Sequence, residues 1–285
     1  MLAREFYDVF SDELCKNTEA LPVELSQELG RYYRALVEKS GHREFHRYNW
    51  IRRTEPMARL LKALPERDTP WRVLDAGCGL GTESIYWSTL RDDIQVLGVD
   101  VSARRLEVAR ARHIAYERHL GRPLNVRFVE QDVFSVLRAQ PFDVVWTMEA
   151  ISHIDPAEKF LADVSRNLGD HGHLVISDSH IWNPVMAWRV FRLRRQGVAL
   201  RTQKTTRQGE SITYAQERLL SVGWLSRRLR QVGFASVHAQ LNVFFPPFVA
   251  RHTSLHSLCA WFDTLMNMVP VIRNVGGIYT LVASK

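Results

Sequence analysis

The sequence predicts a doubly wound α/β fold: a mostly parallel, seven-stranded sheet with an N-terminal helical cap and helical insertions. Three observations predict it. After Pro70, short apolar runs alternate with longer amphipathic stretches, as successive βαβ units require. The first run leads into VLDAGCGLGT, residues 73–82, which sets a strand, three alternating glycines and a helix start in the order of a ligand-binding crossover. A chain of 285 residues that is 46% hydrophobic can also bury one large core, so a single catalytic domain with embellishments is expected.

Residues 1–70 form the predicted cap. Residues 2–66 read as helical, with a polar interruption at Ser40-Gly41-His42 and a helix start near Thr54, Pro56 falling close to its first turn. The core spans residues 71–285, with strands expected at 72–75, 94–100, 124–130, 142–147 and 173–178 and helices between them. Ser102 caps a helix that runs to about His119 and stops at Gly121. Asp155-Pro156-Ala157-Glu158 offers an N-cap, a proline at the first helical position and an acid two residues on. An irregular, very basic insertion at about 180–215 follows the fifth strand. Ser221 to Gly233 reads as the last core helix, 235–244 as a strand, 246–272 as a second helical insertion and 278–283 as the final strand.

The opening stretch MLAREFYDVFSDEL carries charges throughout, so neither a secretory signal nor a membrane span is expected there. The most apolar later stretch, residues 254–272, is broken by His256, Asp263, Asn267 and Pro270. Cys15, Cys78 and Cys259 form no CxxC pair, which points to a reduced, cytoplasmic setting rather than a zinc cage. A net charge of +7 admits nucleic acid, anionic membranes or acidic substrates without choosing among them.

The glycine loop decides more. Dinucleotide sites use GxGxxG and lay a pyrophosphate on the helix N-terminus, whereas Gly77, Gly79 and Gly81 are spaced GxGxG. Asp75, two residues before the first glycine, repels a pyrophosphate and welcomes an ammonium or sulfonium. The second strand ends in VLGVD, placing Asp100 where a carboxylate accepts from ribose hydroxyls, and FVEQDVF places Asp132 within reach of an adenine amino group. In this order and spacing, VLDAGCGLG, GVD and EQD resemble the first three motifs of class I S-adenosylmethionine-dependent methyltransferases. FDVVWTMEAISHI and HGHLVISD extend the resemblance over roughly residues 71–180. The turn Gly169-Asp170-His171-Gly172 departs from the Pro-Gly-Gly usual there but still supplies turn residues. The resemblance implies a Rossmann-like sheet and S-adenosylmethionine as cofactor. It places Asp75, Gly77, Cys78, Gly79, Gly81, Asp100, Val101, Gln131, Asp132, Val133 and Met148 around that cofactor.

Substrate and cofactor meet where strand order reverses, so residues after strands four and five face the transferred methyl group. The Asn/Asp-Pro-Pro-aromatic motif of amine and nucleobase methyltransferases is absent there. What stands in its place resembles small-molecule methyltransferases, with His153 after the fourth strand and Asp178 ending the fifth as catalytic candidates, His153 the proton acceptor. Their structural alternatives are a helix-end histidine bonded to backbone and a turn-capping aspartate. Glu149 completes the catalytic set and, with His153, is similar to a Glu-x-x-Glu-His metal pattern. Ser152 replaces its second acid, so no metal is expected. Tyr48, Asn49, Trp50 and Arg53 are candidates to close over the cofactor, or simply to pack at the surface.

The expected activity is methyl transfer to an oxygen or nitrogen of a small molecule: a sugar, a phenolic, a lipid-like compound or another metabolite. The alternatives are an RNA methyltransferase and a catalytically silent cofactor-binding subunit. No stable nucleic-acid complex is expected, since no RNA-binding module flanks the core. A weak membrane-surface contact and a homodimer are both compatible with the composition. No acid lies between Asp178 and Glu210, while Arg189, Arg192, Arg194, Arg195, Arg201, Lys204 and Arg207 do. Asn183-Pro184 starts a helix there that offers Val185, Met186, Trp188, Phe191 and Leu193 as apolar surface. The favoured reading is a cap helix with its aromatic residues on the core and its arginines in water. The other is a lid or an interfacial helix.

Overall fold

The computed structural model describes residues 2–9, 40–181, 184–195, 201–205, 209, 211–215, 218–245, 248–269 and 276–285. Its core is a seven-stranded sheet. The first five strands are β1 (Trp71–Ala76), β2 (Ile94–Asp100), β3 (Val126–Glu130), β4 (Val144–Met148) and β5 (His173–Ser179). They are parallel, in the order β3-β2-β1-β4-β5. Between them run α2 (Thr82–Leu90), α3 (Ala103–Leu120), α4 (Val133–Ala139) and α5 (Ala157–Asn167), preceded by α1 (Ser40–Ala63). After β5 come α6 (Pro184–Arg195), the antiparallel pair β6 (Arg201–Thr205) and β7 (Ser211–Ala215), α7 (Val222–Gln231), β8 (Ser236–Asn242), α8 (His256–Met268) and β9 (Ile278–Ser284). β9 lies antiparallel between β5 and β8 and completes the order.

The central strands read as almost continuous apolar runs because both of their faces are covered. Successive residues point to opposite sides. Val73, Val144 and Val175 pack on the α1, α2 and α3 face against Met57, Ile85 and Leu106, whereas Leu74, Val145 and Ile176 pack on the α4, α5 and α7 face against Leu137, Phe160 and Leu225. Strand order reverses between β1 and β4, which opens the crevice at their carboxyl ends.

Several local signals act as expected. The Ser102 hydroxyl accepts from the Arg105 N–H, Gly121 ends α3 with φ 65°, and Ser221 caps α7 through the Trp224 N–H. Others do not. α1 is one helix that begins at Ser40, and Thr54 and Pro56 lie inside it. The buried positions Trp50, Met57 and Leu61 continue at helical spacing through the proline, so packing against the core overrides the local break signal. Residues 10–39 lie outside the described residues. At α5 the cap position is Pro156, at φ −75° and ψ 135°, while the Asp155 carboxylate pairs with Arg218 Nη1 at 2.8 Å. A charge-assisted bond to a guanidinium outcompetes a cap to a backbone N–H.

The basic insertion is expected to be irregular, but among the described residues it holds a helix and an antiparallel strand pair. Its aromatic residues are not packed on the core: Trp188 is 64% and Phe191 48% exposed. Val190 is buried on the inner side of α6 instead. In the second insertion, two 3-10 turns, Val249–Arg251 and Thr253–Leu255, lead into α8. There the Tyr48 hydroxyl donates to the buried Asp263 at 2.6 Å.

Candidate active site

β1 delivers the chain into its glycine turn at the crevice. Gly77 has φ 81°, and a Cβ there would lie 2.4 Å from the Ala150 Cβ, so this glycine lets the loop after β1 touch the loop after β4. Gly79, at φ 52°, faces open space. The turn is tied to β2. The Gly77 and Cys78 N–H groups donate to the Val99 carbonyl at 2.8 and 3.0 Å, and the Gly79 N–H donates to Asp100 Oδ2 at 2.9 Å. Asp100 Oδ1 accepts from the Ser102 N–H at 2.8 Å, so one carboxylate fixes both the loop and the start of α3.

Three acids converge on this loop. Asp75 is buried and accepts from the Ser84 hydroxyl at 2.6 Å, and Glu83, in the first turn of α2, accepts from Trp50 Nε1 at 2.7 Å. Burial pushes the Asp75 carboxyl well above its usual range, and the charges of Glu83 and Asp100 push it further. The Cys78 thiol is raised by burial and then by Asp75, Asp100 and Glu83, which makes it an inert wall of the site. Val101 and Gln131 are half-buried in the turns after β2 and β3, and Val133 is buried at the start of α4. Asp132 caps α4 by accepting from the Phe134 N–H at 3.3 Å, and Met148 is half-buried at the end of β4. A glycine-walled crevice lined by the carboxyl groups of Asp75, Glu83 and Asp100 fits a cationic nucleoside better than a pyrophosphate.

Across the crevice, Glu149 follows β4 with φ 51°, a backbone region costly for a residue with a side chain. Its N–H donates to the Ser177 carbonyl at 2.9 Å and its carboxylate pairs with Arg53 Nη2 at 2.9 Å. Asp178 is buried and accepts from the N–H groups of Ser152 at 3.2 Å and Ser179 at 2.7 Å. Burial raises its carboxyl to about 6, aided by the charge of Glu149 and opposed by the two backbone bonds and Arg53. His153 is half-buried on the same turn, its N–H donating to the Ala150 carbonyl at 2.9 Å. The structure thus gathers Glu149, Asp178 and Arg53 into one group. His153 stands next in sequence to Ser152, whose N–H holds Asp178.

Of the four cap candidates, Trp50 and Arg53 reach these carboxylates, and Asn49 steadies Arg53 by accepting from its Nε at 3.1 Å. Tyr48 instead turns to α8. Sequence reasoning passed over Glu83, although an acid in the first turn after a glycine loop was visible. It also passed over Tyr279, whose buried hydroxyl has no hydrogen-bond partner among the described residues and which stands opposite Asp178 in the β5–β9 register. No signal could have found Tyr279, because its place depends on β9 entering the sheet beside β5.

Residues 74–174 match the family model described as a methyltransferase domain. Residues 74–174 thus carry a methyltransferase domain. The chain is 28% identical over 174 residues, 60% of its length, to carboxy-S-adenosyl-L-methionine synthase of Campylobacter jejuni, of which it covers 67%. It is 39% identical over 88 residues, 30% of its length, to the ubiquinone biosynthesis O-methyltransferase of Serratia proteamaculans, of which it covers 33%. The chain spans between 20% and 67% of the curated relatives that it matches. Among solved structures, an S-adenosylmethionine-dependent methyltransferase from Thermotoga maritima superposes with TM-score 0.55 at 16% identity, covering 92% of this chain and 97% of that one. The methyltransferase domain therefore holds both the glycine loop and the turn that carries Glu149 and His153, while Arg53, Asp178 and Tyr279 come from outside the matched residues.

Proposed function

We propose that this protein transfers the methyl group of S-adenosylmethionine to an oxygen or nitrogen of a small molecule. The observation that carries this reading is the placement of two acidic groups on opposite sides of one crevice: Asp75, Glu83 and Asp100 around the glycine loop, Glu149 and Asp178 beyond β4 and β5. The first group would hold the cationic cofactor, with Asp100 at the ribose and Asp132 beside the adenine. When bound, that cofactor supplies an electrophilic methyl carbon. Relatives named for ubiquinone biosynthesis and carboxy-S-adenosylmethionine synthesis support a small acceptor.

The protein's own part is positioning and proton handling. Glu149, locked by Arg53, walls the acceptor side, and Asp178 hydrogen-bonds the acceptor's O–H or N–H. His153 takes the proton that leaves as the new bond forms. Isothermal calorimetry with S-adenosylmethionine, followed by transfer of an isotopically labelled methyl group to a panel of small acceptors, tests the reading. Absence of cofactor binding would overturn it. With an acceptor in hand, His153→Ala should lower kcat by about 10² to 10⁴ and leave cofactor affinity nearly intact. A normal kcat would return His153 to a structural role.

A further inference from the structure

We propose that the outward face of α6 docks this protein on an anionic lipid surface. Trp188, Phe191, Arg192 and Arg195 are all exposed, and their spacing of i, i+3, i+4 and i+7 places them on one stripe of the helix. Val190, on the other side, is buried and anchors the helix to the protein. The Trp188 and Phe191 rings lie 5.6 Å apart at 32°, and the Arg195 guanidinium lies 5.8 Å from the Phe191 ring. These contacts form a compact aromatic knob flanked by cations. The surrounding sequence has one sign of charge: residues 179–209 contain six arginines, one lysine and no acid.

That composition selects among occupants. Tryptophan and phenylalanine settle at the boundary between headgroups and acyl chains, where arginine meets lipid phosphate. A single-stranded nucleic acid also seeks cations and aromatic faces, but it needs rings free to stack on bases. Here the two rings pack on each other, closer than a base sandwiched between them allows. A two-fold contact with a second copy would bring Arg192 and Arg195 against cationic stripes of their own kind. A lipid surface accepts both the apolar knob and its charges. No helix among the described residues is long and apolar enough to cross a membrane, so the contact is peripheral.

The test is co-sedimentation of the full chain with sucrose-loaded vesicles of mixed phosphatidylglycerol and phosphatidylcholine, against pure phosphatidylcholine. The chain should pellet with the mixed vesicles, weakly with the neutral ones, and less as salt rises. Trp188→Ala with Phe191→Ala, and separately Arg192→Glu with Arg195→Glu, should each reduce partitioning by about tenfold or more. All four positions are exposed, so circular dichroism and the thermal transition should match the parent chain. Equal pelleting with neutral vesicles, or parental partitioning by both variants, overturns the proposal. So does mixed-sequence RNA that binds through the same four residues and strips the protein from vesicles.

Discussion

Both oxygens of Asp100 accept backbone hydrogen bonds, from Gly79 and from Ser102, so removing the carboxylate would loosen the glycine loop as well as the proposed ribose contact. Hydrogen bonds to a charged acceptor contribute about 1.5 to 3 kcal/mol each. Asp100→Ala should therefore weaken S-adenosylmethionine binding by about tenfold or more by calorimetry while the chain stays folded, and undiminished affinity would refute the assignment. Asp178 makes a prediction about pH. Its carboxyl titrates near 6, raised mainly by burial, so the folded chain holds this proton more tightly than the unfolded one does. The associated stability is complete below the unfolded value of about 3.9 and is lost as pH rises through about 6. Relative to Asp178→Asn, which cannot titrate, the parent chain should gain on the order of 2 kcal/mol on going from about pH 7 to about pH 4. Denaturation curves whose difference stays constant over that range would show that Asp178 is not the titrating group. Asp75, Gly77, Asp100 and Asp178 were all legible as residues because local spacing fixes them at strand ends. Their partners were less so: that Ser84 serves Asp75 and that Arg53 serves Glu149 follows only from tertiary packing.

α1 acts as one wall of the crevice, since Trp50 donates to Glu83 and, three residues on, Arg53 holds Glu149. Trp50→Phe keeps the ring in the core but removes the indole N–H from the half-buried Glu83 carboxyl. Leaving such an acceptor unsatisfied costs about 1 to 3 kcal/mol, more for a charged group. Urea denaturation should show a loss of that size, and cofactor affinity should fall with it. An unchanged midpoint would mean that Glu83 finds another donor or lies protonated and indifferent. The sequence reading broke this helix at Thr54-Pro56. Propensity there did favour a break, and the long-range burial of Met57 and Leu61 reversed it. The strands and crossover helices were legible because period and capping are local. The outward turn of Trp188 and Phe191 was not, because apolar character alone does not say whether a face finds a partner.

Ligand linkage reports on the molecule as a whole. At about a hundred times its dissociation constant, S-adenosylmethionine should stabilise the folded chain by about 2.7 kcal/mol, whereas NAD should leave the thermal transition where it was. An equal shift with NAD would return the glycine loop to the dinucleotide class. Dialysis against EDTA is expected to leave methyl transfer intact, since Glu149 is engaged by Arg53 and no cluster of three metal-ligating side chains occurs among the described residues. Activity that vanishes and returns with magnesium would contradict this. The placement of β9 between β5 and β8 also bears on how the chain is made. During synthesis on the ribosome, β5 emerges about a hundred residues ahead of the strand that will cover its open edge, and β8 has no place in the sheet until then. Until residues 278–284 leave the exit tunnel, the nascent chain carries an unpaired inner edge, and Asp178 lacks Tyr279 opposite it. The same seven residues that close the sheet's inner edge also set Tyr279 opposite Asp178, so this pairing at the proposed site forms only on a chain whose edge is already covered.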